Sequence, residues 1–79
     1  MSKEEILKKI NDILKDIFDD ETLVISMETT AKDIDEWDSL NHITIISTIE
    51  NEFDVDFTME EVVNFKNVGD IVDKIVEKS

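Results

Sequence analysis

Cysteine and proline are both absent from this chain, and glycine occurs once, as Gly69. Without cysteine, a disulfide framework, a thiolate metal site and a cysteine nucleophile are all excluded. The shortage of glycine argues against a β-sandwich or β-barrel, because the hairpins of those folds need tight glycine turns. These absences favour helices that are connected without sharp turns.

Long apolar runs are also missing. No window approaches the length of a membrane span, and the chain begins with an amphipathic pattern rather than the apolar core of a signal peptide. Its 79 residues suffice for a single domain, which we assign to residues 1–79. We therefore expect a soluble, cytoplasmic protein with no membrane partner.

Positive charge is scarce, since 8 Lys and Arg side chains face 21 Asp and Glu side chains and the net charge is −13 at pH 7. Such a chain would repel the phosphates of nucleic acids. Its charge favours partners with basic surfaces. Self-repulsion in so small a fold also predicts that added salt raises the melting temperature.

Hydrophobic periodicity predicts four helices. The first covers about Lys3 to Phe18 and the second runs from Ser39 to about Phe53. A short third helix follows a capping box at Thr58, and Asn67 caps the last helix. The predicted fold class is all-α, a small four-helix bundle of three longer helices and one short helix, with a long loop between helices 1 and 2.

The stretch 19–37 has no regular period. Residues 23–25 could form a strand, but no partner strand of similar quality exists, so we expect an extended loop held by apolar side chains. A helical turn around Thr30 to Asp33 would shorten the irregular stretch. The predicted apolar anchors are Leu23, Ile25, Met27 and Ile34.

The second helix carries the longest apolar stripe of the chain. Its periodicity predicts a central helix that every other element contacts. The residues expected to face the core are Leu40, Ile43, Ile46, Ile49 and Phe53, with Ile45 beside them. The residues expected to face solvent are Asn41, Thr44, Thr48, Asn51 and Glu52.

The tetrapeptide Trp37-Asp38-Ser39-Leu40 opens this helix. Asp38 is a good N-cap, which makes Ser39 the first helical residue, with its hydroxyl directed outward. Unpaired backbone N–H groups and the positive end of the helix dipole would favour a phosphate ester on Ser39. On the tetrapeptide alone, ordinary helix capping is the simpler interpretation.

The sequence shows no catalytic constellation. His42, the only histidine, lies three positions after Ser39, but no third group is evident to orient its ring. Two Asp-x-Asp segments, starting at Asp33 and Asp54, lack the glycine and glutamate of a calcium loop. We therefore expect neither an enzyme nor a specific metal site.

His42 has two interpretations. Its helical angle places it inside the apolar arc, and Trp37 occupies the position from which a staple residue packs onto it. In the first interpretation His42 is a neutral, partly buried residue under the indole. In the second it lines the entrance to a cavity for a bound ligand.

The order of the elements and the motif at Ser39 resemble the acyl carrier protein family, including its peptidyl carrier domains, over essentially the whole chain. The most specific stretch is Asp38-Ser39-Leu40 with Ile43, Ile46, Ile49-Glu50-x-x-Phe53 and Asp56-Phe57-x-x-Glu60. In that family a phosphopantetheinyl transferase esterifies the motif serine with 4′-phosphopantetheine from coenzyme A. The resemblance implies that Ser39 carries this cofactor, whose terminal thiol holds acyl or aminoacyl groups as thioesters.

The resemblance also implies partners, namely acyl- or aminoacyl-loading and acyl-processing enzymes with basic surfaces, and we expect a monomer. The matching partner-binding positions are Asp35, Glu36, Asp38, Leu40, Thr44, Glu50, Asn51 and Asp54. The positions that would line a space for the cargo are Ile43, Ile46, Ile49, Val62 and Phe65.

Two features differ from the fatty-acid carriers of this family. Uncharged residues replace the carboxylates that those carriers crowd along the exposed face of helix 2, and Trp37 replaces a small or aliphatic residue. These differences favour a carrier in a specialised biosynthetic pathway. The alternative function is an acidic helical protein–protein interaction domain that binds a basic partner without covalent modification, for which Ser39 would not be needed.

Overall fold

Apolar side chains at helical spacing form four α-helices in this computed structural model, which describes residues 2–78. The α-helices are α1 (Lys3–Phe18), α2 (Ser39–Phe53), α3 (Met59–Asn64) and α4 (Val68–Lys78). A 3-10 helix at Ala31–Asp33 lies in the loop between α1 and α2. The described residues contain no strand, and the predicted all-α bundle of three longer helices and one short helix is confirmed.

Side-chain caps start the helices at the predicted places. At α3 the Thr58 hydroxyl accepts from the Glu61 backbone N–H at 3.1 Å, and the Glu61 carboxylate accepts from the Thr58 backbone N–H at 2.8 Å. At α4 the Asn67 side chain accepts from the backbone N–H of Asp70 at 2.9 Å. Because each cap uses only neighbouring residues, the sequence predicted these helix starts correctly.

The core lies between α1, α2 and α4. Helix α1 has the most extensive backbone contacts, with both α2 and α4, so α1 is the central helix. The expectation that α2 would be central is therefore wrong. The largest fully buried side chains are Ile6, Ile10, Leu14, Ile45, Ile49, Ile71, Ile75, Val68 and Val72. Within residues 2–78, none of the helices combines the length and apolar character needed to cross a membrane.

The predicted buried stripe of α2 is wrong at its first two positions. Ile45, Ile46 and Ile49 are buried, whereas Leu40 is 75% exposed and Ile43 is 65% exposed. Each step of three residues falls about 60° short of a full helical turn, so a run at that spacing moves around the helix. Leu40 therefore lies about 180° from Ile49, on the opposite face.

The loop between α1 and α2 is held against the helices by apolar and polar contacts. Ile25 and Ile34 are buried, and Leu23 and Met27 pack against the core, as predicted. The Asn11 side chain of α1 adds a tether that the sequence did not indicate, because its amide donates to the Leu23 carbonyl at 3.0 Å and accepts from the Ile25 N–H at 2.7 Å. The predicted helical turn is also present, at Ala31–Asp33.

The short helix α3 is connected to α4 by ion pairs. Both oxygens of the Glu61 carboxylate are used, one lying 3.5 Å from the Lys74 ammonium and the other 3.1 Å from the Lys78 ammonium. The backbone N–H of Thr58, and then these two ammonium groups, lower the pKa of Glu61 from 4.5 to about 2. Glu61 therefore fixes one side of α3 to the bundle through its charge.

Candidate functional site

The structure places Ser39 at the start of α2 with its side chain exposed. The backbone of Asp38 is extended, at φ −98° and ψ −177°, and its carboxylate accepts from the Asn41 N–H at 2.8 Å. This cap ends the loop and begins the helix at Ser39. The first N–H groups of the helix, which have no intrahelical acceptor, lie at the same end as the Ser39 hydroxyl.

The segment before Ser39 is fastened to the first turn of α2. The Asn41 amide donates to the Glu36 carbonyl at 2.6 Å. The Trp37 indole is 7% exposed, and its Nε1–H donates to His42 Nδ1 at 3.0 Å. The two ring planes are inclined by 28°, with centroids 6.0 Å apart. The predicted packing of Trp37 on His42 is confirmed, and it holds the chain on both sides of Ser39.

A groove of about 430 Å³ opens beside Ser39, between α2 and α3. The residues that line it are Ala31, Trp37, Asp38, Ser39, His42, Val62, Val63 and Phe65. Val62 and Phe65 were predicted to line a space for cargo, and they border this groove. Ile46 and Ile49 lie in the core instead, and Ile43 is exposed, so the structure does not bring these three residues to the groove.

His42 has both of the features that its two interpretations required. It is half-buried against the indole of Trp37, and it is also one of the residues that line the groove beside Ser39. A larger depression of about 750 Å³ lies between α3 and α4, but charged side chains form much of its wall and Ser39 does not border it. The groove at Ser39 is therefore the candidate site.

The predicted partner-binding residues are mostly accessible. Glu50 differs, because it is half-buried and its carboxylate accepts from the Phe57 backbone N–H at 2.8 Å. Its role at an interface stays a prediction, as do those of the other residues. The exposed members of the set are Asp35, Glu36, Asp38, Leu40, Thr44, Asn51 and Asp54.

An exposed apolar surface next to the groove was not predicted. Leu40 and Ile43 project from α2, while Met59 and Val63, which are 81% and 73% exposed, project from α3. Leu40 follows Ser39 directly in the chain, and Val63 itself lines the groove. This surface could not be predicted from the sequence, because the spacing of Leu40 and Ile43 is that of core residues.

Comparison with known sequences identifies a family. A family model described as a phosphopantetheine attachment site matches residues 5–75. The acyl carrier protein of Streptococcus pyogenes serotype M1 is 38% identical over 74 residues, which is 94% of this chain and 96% of that protein. The acyl carrier protein of Acidothermus cellulolyticus is 35% identical over 75 residues, which is 95% of this chain and 89% of that protein.

Comparison with solved structures leads to the same family as comparison with known sequences. The solution structure of the holo acyl carrier protein from Geobacter metallireducens superimposes with a TM-score of 0.85 at 38% identity, covering 92% of this chain and 84% of that one. The acyl carrier protein from Enterococcus faecalis gives a TM-score of 0.77 at 30% identity, with both chains covered completely. Acyl carrier proteins are carriers rather than enzymes, and the similarity in sequence and fold shows that this chain belongs to the acyl carrier protein family.

Proposed function

We propose that Ser39 is the residue on which this acyl carrier protein bears 4′-phosphopantetheine. The observation that carries the proposal is the exposed Ser39 side chain at the first position of α2. A transferase can reach such a hydroxyl without unfolding the helix. The attached group supplies a terminal thiol to which acyl or aminoacyl cargo is bound as a thioester.

The residues around Ser39 fit a phosphodiester. Backbone N–H groups that are free of intrahelical bonds, together with the positive end of the helix dipole, favour an anion at this position. Asp38 brings a negative charge close by, but its carboxylate accepts from the Asn41 N–H and so serves the cap. The groove beside Ser39 offers Val62 and Phe65 as apolar walls for the arm or its cargo.

The surface around Ser39 suits partner enzymes that combine basic and apolar contacts. Exposed carboxylates at Asp35, Glu36 and Asp38 precede the serine, and exposed Leu40 and Ile43 follow it. Such a surface matches a phosphopantetheinyl transferase and acyl-handling enzymes with basic patches. The net charge of −13 disfavours self-association, so we propose that the chain acts as a monomer.

The exposed face of α2 supports a specialised pathway. Thr44, Ser47 and Asn51 are exposed and uncharged, and they follow Leu40 along one face of the helix. An enzyme that recognises a row of carboxylates would find none along this face. We therefore propose partners that bind the acidic segment before Ser39 and the apolar residues after it, in a pathway other than primary fatty-acid synthesis.

Intact mass after incubation with coenzyme A and a broad-specificity transferase tests the attachment residue. The wild-type chain should gain one phosphopantetheinyl group, and the Ser39→Ala variant should gain none. Ser47→Ala is the matched control, because Ser47 is an exposed serine on the same helix and its loss should leave the gain intact. An unmodified wild-type chain, or a modified Ser39→Ala chain, would contradict the proposal.

The alternative function predicts a different result. An acidic interaction domain that works without modification would bind its basic partner equally well as the wild type and as Ser39→Ala. The exposed Ser39 beside a groove, in a chain of this family, favours the carrier function.

A further inference from the structure

The hydrogen bond between Trp37 and His42 determines where the imidazole carries its proton. The indole N–H can only donate, and it points at His42 Nδ1 from 3.0 Å. His42 Nδ1 must therefore be the unprotonated, accepting nitrogen. In the neutral ring the single proton then resides on Nε2, which becomes a hydrogen-bond donor.

This donor is accessible. Within residues 2–78, every buried side-chain nitrogen or oxygen has a hydrogen-bond partner. No contact inside the described chain engages Nε2 of His42, so this nitrogen must reach solvent. His42 is half-buried and is one of the residues that line the groove beside Ser39.

No other side chain of the groove can offer an N–H group to an anion on Ser39. The described residues that line the groove include no lysine or arginine. The Trp37 N–H is already donated to His42, Asp38 is an acceptor, and esterification would consume the hydroxyl of Ser39. Ser39 and His42 are three positions apart on one helix, a spacing at which side chains are neighbours.

We propose that His42 binds the phosphodiester on Ser39 by donating its Nε2–H to a phosphate oxygen, and that Trp37 fixes the tautomer required for this bond. The proposal rests on attachment at Ser39. Such a bond would hold the phosphate beside the groove, and Trp37 is a positioning residue that acts through His42. Because the indole is buried, the ring of His42 is held in place before the phosphate is attached.

Long-range proton–nitrogen NMR of the labelled chain tests the first step. The chain contains one histidine and one tryptophan, so both ring signals are assigned without ambiguity. In mildly alkaline buffer the unmodified chain should show the Nε2-protonated tautomer of His42. After modification, verified by intact mass, the Nε2 resonance should shift while the tautomer is retained. An Nδ1-protonated ring, or an Nε2 resonance that is unchanged by modification, overturns the proposal.

Two substitutions separate the roles of the ring nitrogens. In His42→Asn the side-chain carbonyl lies near the position of Nδ1 and can accept from Trp37, but nothing replaces Nε2. In His42→Gln the amide nitrogen lies near the position of Nε2 and restores a donor. We expect His42→Asn to move the phosphorus NMR resonance of the modified chain to that of a free phosphodiester, and His42→Gln to return it toward the wild-type position.

The outcomes distinguish this inference from attachment itself. A wild-type chain that gains no mass overturns both. A modified chain whose phosphorus resonance is the same in wild type and His42→Asn overturns the role of His42 alone. A loss of stability in His42→Asn without a phosphorus shift would show that the histidine serves only to pack Trp37, and it too overturns the proposal.

Discussion

Aspartate, rather than glycine, ends the two longest helices. Asp19 after α1 and Asp54 after α2 have φ values of 51° and 53°, in the left-handed region that glycine usually occupies at this position. For most residues with a side chain this conformation costs about 1–2 kcal/mol, and aspartate tolerates it better than most because its short side chain can form local hydrogen bonds. The carboxylate also lies at the negative end of the helix dipole, which is unfavourable.

Asp19→Gly should therefore stabilise the protein. The substitution removes the left-handed strain and one negative charge from the helix end. The greater entropy of the unfolded chain with glycine opposes this gain but is smaller. We therefore expect the free energy of unfolding, measured with urea, to increase by about 1 kcal/mol. Asp19→Asn is the matched control, because it removes only the charge. If Asp19→Gly is no more stable than Asp19→Asn, the backbone at residue 19 is not strained.

The site at Ser39 could be predicted because its contacts are short-range. Contacts between distant parts of the chain could not be predicted. The Asp38 cap, the exposed serine and the packing of Trp37 on His42 all involve residues within one helical turn. The tether from Asn11 to the loop joins residues 12 and 14 positions apart, and nothing in the local sequence marks Asn11 for it. Such a contact depends on how the loop folds back over α1.

At the scale of elements, helix bounds were easier to predict than helix orientation. The caps at Asp38 and Thr58 are local, so α2 and α3 begin where the sequence indicates. The face of α2 that is buried depends on where α1 lies. Ile43 and Ile46 have the same chemistry and spacing as core residues, but only Ile46 is directed toward the bundle.

The single glycine allows the loop to reach the start of α4. The N–H groups of Val68 and Gly69 donate to the carbonyls of Thr29 and Met27, at 2.9 and 2.8 Å. These bonds satisfy N–H groups that the first turn of a helix cannot pair internally. A Cβ atom at residue 69 would lie 2.9 Å from the Met27 carbonyl oxygen, so only glycine fits without movement of the loop.

We predict that Gly69→Ala destabilises the protein by about 1–2 kcal/mol through this contact. In a helix without such a contact the same change would stabilise the protein by about 1 kcal/mol. The sign of the effect therefore shows whether the Met27 carbonyl constrains residue 69. Thermal and urea unfolding measure it. A more stable Gly69→Ala variant would show that the loop moves away at no cost, and its contact with α4 would then be dispensable.

Helix α3 is too short to be stable without contacts to the rest of the bundle, and the charge of Glu61 supplies part of them. The folded pKa of Glu61, about 2, is below its ordinary value of 4.5. Its ionisation therefore stabilises the fold fully above pH 4.5, and this contribution is lost as the pH falls through about 2.

Urea unfolding of wild type and Glu61→Gln, compared as a function of pH, should show the contribution of the Glu61 charge. Glutamine retains an acceptor for the Thr58 N–H but cannot pair as an anion with Lys74 and Lys78. The variant should be less stable than wild type near neutral pH, and the difference should vanish toward pH 2. Glu60→Gln, the adjacent exposed position, is the control and should show no comparable deficit. An equal difference at every pH would mean that packing, not charge, is responsible.

The whole molecule concentrates its excess negative charge in a small volume. The principal-axis extents are 29, 24 and 21 Å, and the net charge is −13. The ion pairs in the described residues include Lys3 with Asp73, at 58% and 62% side-chain exposure, and Lys74 with Glu77. Exposed pairs of this kind contribute about 0–1 kcal/mol each, which is too little to offset the repulsion among the remaining carboxylates.

Salt should therefore raise the melting temperature. The Debye length is about 10 Å at 0.1 M salt and about 3 Å at 1 M, so added salt screens the repulsion between most pairs of carboxylates in a molecule of this size. The same salt weakens the exposed ion pairs, but their contribution is smaller than the repulsion that it removes. Because about 1 kcal/mol shifts the melting temperature of a domain this size by about 4–8 °C, calorimetry from low to high sodium chloride should show a rise of several degrees.

Magnesium chloride at equal ionic strength separates screening from ion binding. A larger rise with magnesium would indicate that the carboxylates bind the divalent ion, whereas equal rises would indicate screening alone. A melting temperature that stays flat or falls with sodium chloride would contradict the prediction, because it would show that the pairs around Glu61 and Lys74 outweigh the repulsion. The Glu61→Gln variant checks this explanation. It lacks these pairs, so if they caused a flat or falling wild-type trend, the melting temperature of the variant should rise with salt.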